Sequence, residues 1–245
     1  MRVVSLSPVA TEVVVDLGLG HRLVALDAAS ARVRGADGIP VTEPAGVGAY
    51  SPDLVLSPAS EAVRVRRAAP GGEVVEVAPH DFDEAWDLYR TIGAALGRRA
   101  EARRYVREIS RPLAELGARS FGQRRPRVVA ILTLSPLEIA GDHSFVTDLI
   151  ELAGGETVGH GAEQLRLRWS AEQITAAKPE LALVVSAQEP VPGDIALART
   201  LLGPAIRIEP LVLDLDRFWV HDALPAAERL HTLLDELRAA DPEPH

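Results

Sequence analysis

The chain has 245 residues, with 26 Lys and Arg against 35 Asp and Glu, and its formal net charge of −9 disfavours nonspecific binding to nucleic acid. Hydrophobic residues make up 47% and charged residues 25%, an ordinary globular composition in a chain long enough for one large or two small domains. There is no cysteine, which excludes disulfides, zinc–thiolate centres and cysteine nucleophiles, and no apolar stretch reaches transmembrane length.

Arg2 to Leu6 reads as a buried strand. Ser7 then caps a helix with Pro8 in its first position, where a missing N–H costs nothing. That helix runs through Val13, Val14 and Leu17 and stops at Gly18 or Gly20. Leu23 to Leu26 is a second strand, ending at Asp27. Residues 28–50 are loop-like and finish in GVGAY. Pro52 to Ser57 and Val74 to Val77 are a third and a fourth strand, an alternation that predicts a parallel sheet covered by helices. Asp81 to Leu96 is a helix capped by Asp81, with Glu84 three residues on. After Gly97 a longer helix runs from about Ala100 to Leu116. Its apolar face is Tyr105, Val106, Ile109, Leu113 and Leu116, its Arg-rich face reads as solvated, and Pro112 is expected to kink it.

The alternation restarts at Arg127. Val128 to Leu134 is a strand. Ser144 caps a helix carrying Phe145, Leu149, Leu152 and Ala153, with Gly154 and Gly155 behind it. Ser170 to Ala177 is a helix with a Ser-x-x-Gln capping box. Pro179 to Ser186 and Ile206 to Leu213 are strands, and Leu224 to Leu237 is a closing helix with Leu230, Leu233, Leu234 and Leu237 inside.

Two stretches recur. RVVSLSP at Arg2 returns as RVVAILTLSP at Arg127, and PDLVLSPASE at Pro52 returns as PELALVVSAQE at Pro179. Both offsets are about 125 residues, the length of one domain. The expected class is α/β: two similar α/β lobes with mostly parallel sheets, joined by one long α-helix, with a ligand cleft between the lobes. The bounds are 1–97 for the first lobe, 98–122 for the connecting helix and 123–245 for the second lobe. Ligands of open α/β sheets bind outside the carboxyl ends of the strands. The turns Ser7-Pro8 and Ser135-Pro136 are expected at such ends, each opening a helix whose N–H groups point outward, although a Ser-Pro pair is also simply a good cap.

These stretches resemble class III periplasmic substrate-binding proteins, which carry cobalamin, haem or iron-siderophores to ABC importers; the cobalamin-binding branch is the nearest. The resemblance rests on Arg2 to Glu12, on VGAY at Val47 to Tyr50, on Pro136 to Val158, and on WSAEQITAAKPELALVV and FWVHDALP further on. It implies two α/β lobes joined by one long helix. It implies a monomer, periplasmic or at the cell surface, that holds a corrinoid, or alternatively haem or a ferric siderophore, for an ABC transporter permease dimer. Neither catalysis nor a catalytic cofactor is implied. One exposed Glu on each lobe would dock on the permease, and Glu61 and Glu189 stand just after the two echoed strands.

Tyr50 and Trp219 match ligand-facing positions of the family, where a flat aromatic suits a corrin or porphyrin face. Trp169 would shield the cleft rim or staple the helix it precedes, and Trp86 reads as core. His143 and His221 fall on expected cleft loops and could ligate the metal of a bound chelate, though a loop His is usually just solvated. No His-x-x-x-His spacing supports a resident metal. Two departures matter. Met1 leads straight into a strand with no leader, so the protein is cytoplasmic or its leader has been removed. The segment between VGAY and PDLVLS is short, so the first lobe should lack one helix and have a wider cleft mouth. Two alternatives remain open: a chelatase-like enzyme relying on His143, His221 or Glu138, and a cytoplasmic carrier or sensor on the same scaffold. No Gly-x-Ser-x-Gly elbow, phosphate loop or Gly-x-Gly-x-x-Gly motif is present.

Overall fold

The computed structural model describes residues 1–159, 164–188, 192–213 and 220–240. The chain divides into two compact units, Met1–Glu108 and Ile109–His245.

In the first unit, β1 (Val3–Ser5), β2 (Leu23–Leu26), β3 (Leu54–Pro58) and β4 (Glu73–Val77) form a parallel sheet in the order β2-β1-β3-β4. Val3, Val4, Leu54, Val55 and Leu56 are fully buried. Central parallel strands are covered on both faces, which is why they read as unbroken apolar runs. The covering helices are α1 (Pro8–Asp16), α2 (Ala62–Ala68) and α3 (Phe82–Ala95), with a 3-10 helix over Pro44–Tyr50. α1 ends where the sequence places its end. Gly18 has a φ of +72°, its N–H reaches the Val15 carbonyl at 2.8 Å, and the Leu19 N–H reaches Val14 at 2.9 Å. α4 (Arg99–Arg119) continues past Pro112, and the boundary between the units falls inside it.

Tyr89 pins α3 to α1. It is fully buried, its hydroxyl donates to the Asp16 carboxylate at 2.6 Å, and its ring lies 5.1 Å from that of Tyr105. Burial first, and then the charge and hydrogen bond of Asp16, push its phenol far above the ordinary value of 10.0; Tyr105 is raised by the same causes. The phenol therefore keeps its proton in the folded state at a pH where an unfolded tyrosine has lost it. This contribution is complete below about pH 10 and is lost as pH climbs beyond it. Tyr89→Phe should cost about 1–3 kcal/mol at neutral pH, because Asp16 loses a donor. Its stability should also fall less steeply than that of the native protein between pH 9 and about pH 11, as read from urea midpoints. Parallel pH profiles would contradict this account.

In the second unit, β5 (Arg127–Leu134), β7 (Glu156–Thr157), β9 (Leu181–Ser186) and β10 (Arg207–Val212) are parallel: β5 pairs with both β7 and β9, and β9 pairs with β10. The order β7-β5-β9-β10 is that of β2-β1-β3-β4, so the repeat read in the sequence is a repeat of topology. The helices follow suit. α5 (Phe145–Leu152) precedes β7 as α1 precedes β2, and α7 (Pro192–Leu202) precedes β10 as α2 precedes β4. α6 (Ala171–Ala176) carries the expected box, with Ser170 Oγ accepting from the Gln173 N–H at 3.2 Å and Gln173 Oε1 from the Ser170 N–H at 2.8 Å. α8 (Val220–Ala240) closes the unit and buries Ala223, Ala227, Leu230 and Leu234.

The second unit also corrects one expectation. No helix starts at Ser135-Pro136. The pair turns a hairpin between β5 and β6 (Leu137–Ala140), with Leu134 opposite Leu137, and β8 (Arg166–Arg168) extends the sheet beyond β6. Leu137 and Glu138 are half-buried, Ile139 and Ala140 are buried, and the helix waits for the cap at Ser144.

Candidate functional site

In the first unit the carboxyl ends of β1, β2 and β3 lie along one edge of the sheet. Ser7 stands there as the N-cap of α1, with its hydroxyl accepting from the Ala10 N–H at 3.4 Å. The Thr11 hydroxyl lies 2.8 Å from Ser5 Oγ and 2.9 Å from the Ser7 carbonyl, and all three side chains are buried. The Ser7 hydroxyl is thus committed to the helix, and half-buried Pro8 is the side chain that this corner offers to a ligand.

The structure does not bring Tyr50 to this edge. The 3-10 helix starts just after Val41, which bridges Leu26 at the end of β2, and finishes beside Arg2, whose Nε donates to the Tyr50 carbonyl at 2.9 Å. No helix intervenes between Tyr50 and β3, so Tyr50 sits at the amino edge, its ring partly buried against a cluster containing Val4, Val55 and Val65. Glu61 immediately precedes α2 after β3, is one-third exposed, and pairs with Arg64 at 3.1 Å. Around it lies an open groove of about 490 Å³ that includes exposed Val63 and Arg67. Glu189 and Trp219 lie outside the described residues.

In the second unit, exposed Ser135 and Pro136 form the tip of the β5–β6 hairpin. Glu138 lies on this hairpin between Arg168 at 3.0 Å and Arg166 at 3.7 Å, on the face that β6 shares with β8. The period-two spacing of RLR was the signal for these two arginines, which the motif reading missed. His143 is exposed, one residue ahead of the Ser144 cap whose hydroxyl accepts from the Thr147 N–H at 3.2 Å. Trp169 is half-buried and packs, like Leu134 and Leu137, on the core cluster of Ile131, Ile139, Leu167 and Ile174. His221 is exposed in the first turn of α8. Among the described residues no three His, Asp or Glu side chains gather as a metal site, and no helix is long and apolar enough to cross a membrane. Chemically, the second unit presents two arginines, Arg166 and Arg168, and two exposed imidazoles, His143 and His221.

The solved structures most like this one include an ABC transporter substrate-binding protein of Listeria monocytogenes, at 19% identity and a TM-score of 0.78 over 96% of this chain and 98% of that one. The periplasmic haem-binding protein HutB of Vibrio cholerae matches at 18% and 0.77 over 96% and 98%. The periplasmic vitamin B12 binding protein BtuF of Vibrio cholerae matches at 19% and 0.70, covering 97% of each chain. At such identities the likeness is one of fold. No curated protein matches at a significant level. A family model described as periplasmic binding protein matches residues 3–201, well over half of the sequence, and the chain therefore belongs to the periplasmic binding protein family.

Proposed function

We propose that the protein is the substrate-binding component of an ABC importer, at the periplasmic or outer face of a membrane, and that its ligand is a corrinoid. The observation that carries this reading is the duplicated strand order β2-β1-β3-β4 and β7-β5-β9-β10, in a member of a family of binding proteins. In each unit that order gives a carboxyl edge at which a flat ligand can be received. Pro8 would serve from the first unit; Ser135, His143, Trp169 and His221 would serve from the second, with Trp219 as the stacking aromatic. Glu61 and Glu189 would meet the permease. For Glu61, docking exchanges the Arg64 pair for a partner cation.

Haem is the second reading. It is favoured by two exposed imidazoles, His143 and His221, and by the fold shared with HutB. Titration with cyanocobalamin, haemin and a ferric hydroxamate siderophore, followed by absorbance and thermal melting, tests both. The corrinoid should change its visible spectrum and stabilise the protein by about 2.7 kcal/mol at a free concentration of a hundred times Kd. Binding of haemin alone, abolished in a His143→Ala or His221→Ala variant, would replace the corrinoid with haem. If none of the three raised the melting temperature, chelate transport would be refuted.

A further inference from the structure

The first unit carries a second recess, away from Glu61. A groove of about 540 Å³ is lined by Glu73 and Val75 of β4, by Arg90 of α3, and by Arg99 and Arg103 of α4 among others. Two independent features meet there. The first is backbone. β4 ends the strand order and pairs only with β3 among the described residues, in unbroken register from Glu73 to Val77. Its sequence EVVEV has neither Pro nor Lys, and no bulge interrupts it, so the exposed charges of Glu73 and Glu76 are what guard this sheet edge.

The second feature is charge. On the same stretch of chain Arg98, Arg104 and Arg111 each have a Glu within 4 Å, namely Glu101, Glu108 and Glu115. Arg99 and Arg103 have no such partner among the described residues, and Arg107 continues their row without one. Arg90 pairs with Asp87. The groove thus holds two guanidinium groups without a carboxylate partner among the described residues, Arg99 and Arg103, beside Glu73 and the already paired Arg90. Arg99 and Arg103 stand about 6 Å apart along α4, close to the roughly 6.7 Å between alternate side chains of a strand.

We propose that this groove is the docking site of an extended acidic segment from another protein, which adds to β4 as a fifth strand and sets its carboxylates against Arg99 and Arg103. Strand addition takes its affinity from the main chain and its selectivity from alternate side chains. An open edge calls for a strand, and arginines without counter-charges call for acids. A nucleic acid or an anionic lipid surface would satisfy the arginines but would leave the edge unpaired.

The test is fluorescence anisotropy of a short labelled peptide with glutamate at alternate positions and threonine or valine between. The native protein should bind it in a salt-dependent manner. Arg99→Glu with Arg103→Glu should weaken binding by about tenfold or more, with an unchanged circular dichroism spectrum. Because charge reversal could disturb α4, an N-methylated peptide of the same sequence is measured against the native protein, and it should bind at least about tenfold more weakly. The proposal fails if the methylated peptide binds equally, if the double variant binds equally, if the acidic peptide does not bind, or if only phosphatidylglycerol vesicles bind. The chelate titrations read a different site, so failure here would leave the transport reading standing.

Discussion

Gly48→Ala is expected to destabilise the first unit by about 3 kcal/mol or more, whereas Gly71→Ala should change it by less than about 0.5 kcal/mol. A methyl group on Gly48 would lie 2.2 Å from the carbonyl oxygen of Ala68, in the last turn of α2, and 3.3 Å from its carbonyl carbon. The obstacle is backbone, so no side-chain rotation relieves it. Gly71 has open space around its position. The 3-10 helix packs against α2 through this glycine, and Val47 beside it is fully buried in the cluster with Val4, Val55 and Val65. Displacing the helix to make room would open that cluster. Urea midpoints, together with hydrogen exchange of the β1 and β3 amides, distinguish the two variants; equal exchange rates would show that the helix can slide without cost.

Arg238→Met should destabilise the second unit by about 2–5 kcal/mol, and Arg238→Lys should recover only part of that. The Arg238 side chain is 11% exposed. Its Nε donates to the Arg124 carbonyl at 2.8 Å, its Nη2 to the Gly154 carbonyl at 2.8 Å, and its Nη1 pairs with Asp235. Methionine keeps most of the volume and strands two carbonyls, each costing about 1–3 kcal/mol when left without a donor in the interior. Lysine offers a point charge where a planar fork is needed. The surroundings cannot easily adapt. Gly154 closes α5 at a φ of +91°, and the place where its side chain would be is filled by Ser120 and by Arg238 itself. The neighbouring Ala153 carbonyl is held by His231 Nδ1 at 3.1 Å. Faster amide exchange in α5 and α8, at unchanged rates in β9, would verify the staple; a melt identical to the native one would refute it.

Arg238 belongs to a part of the sequence that gave away little. The repeats at Arg2 and Arg127 and at Pro52 and Pro179 were legible because buried parallel strands read as continuous apolar runs with polar punctuation at each end. The caps at Ser7, Asp81, Ser144 and Ser170 were legible because capping is local chemistry, and all four side chains accept the N–H expected of them. The arginines at 124, 125 and 127 carried no expected role in packing. They instead hold the Leu237, Gly155 and Ala177 carbonyls, partners far along the sequence that no local pattern encodes.

Ser135-Pro136 misled because the same two letters open α1 at Ser7-Pro8. The discriminating signal was the second cap at Ser144, which left the residues between without a helix to join. Tyr50 carries a similar lesson. Its nearness to Pro52 was visible, and it already required Tyr50 to lie at the amino edge of β3, because no more than a few residues separate it from the strand. α2 and α7 went unread; α2 is a helix of only seven residues, and neither has a side-chain cap to mark its start among the contacts described.

The hairpin of β6 has a consequence for how such a molecule can diversify. β5 divides its free side between two neighbours: β7 takes Arg127 and Val128, and β6 takes Ile131 to Leu134. Material added between β5 and α5 therefore hangs on the outer half of one strand and leaves the inner pairing intact. At the corresponding corner of the first unit, Ser7 follows β1 almost directly and is already the cap. One corner can lengthen or shorten over generations while the frame stays folded; the other is closed to such tinkering.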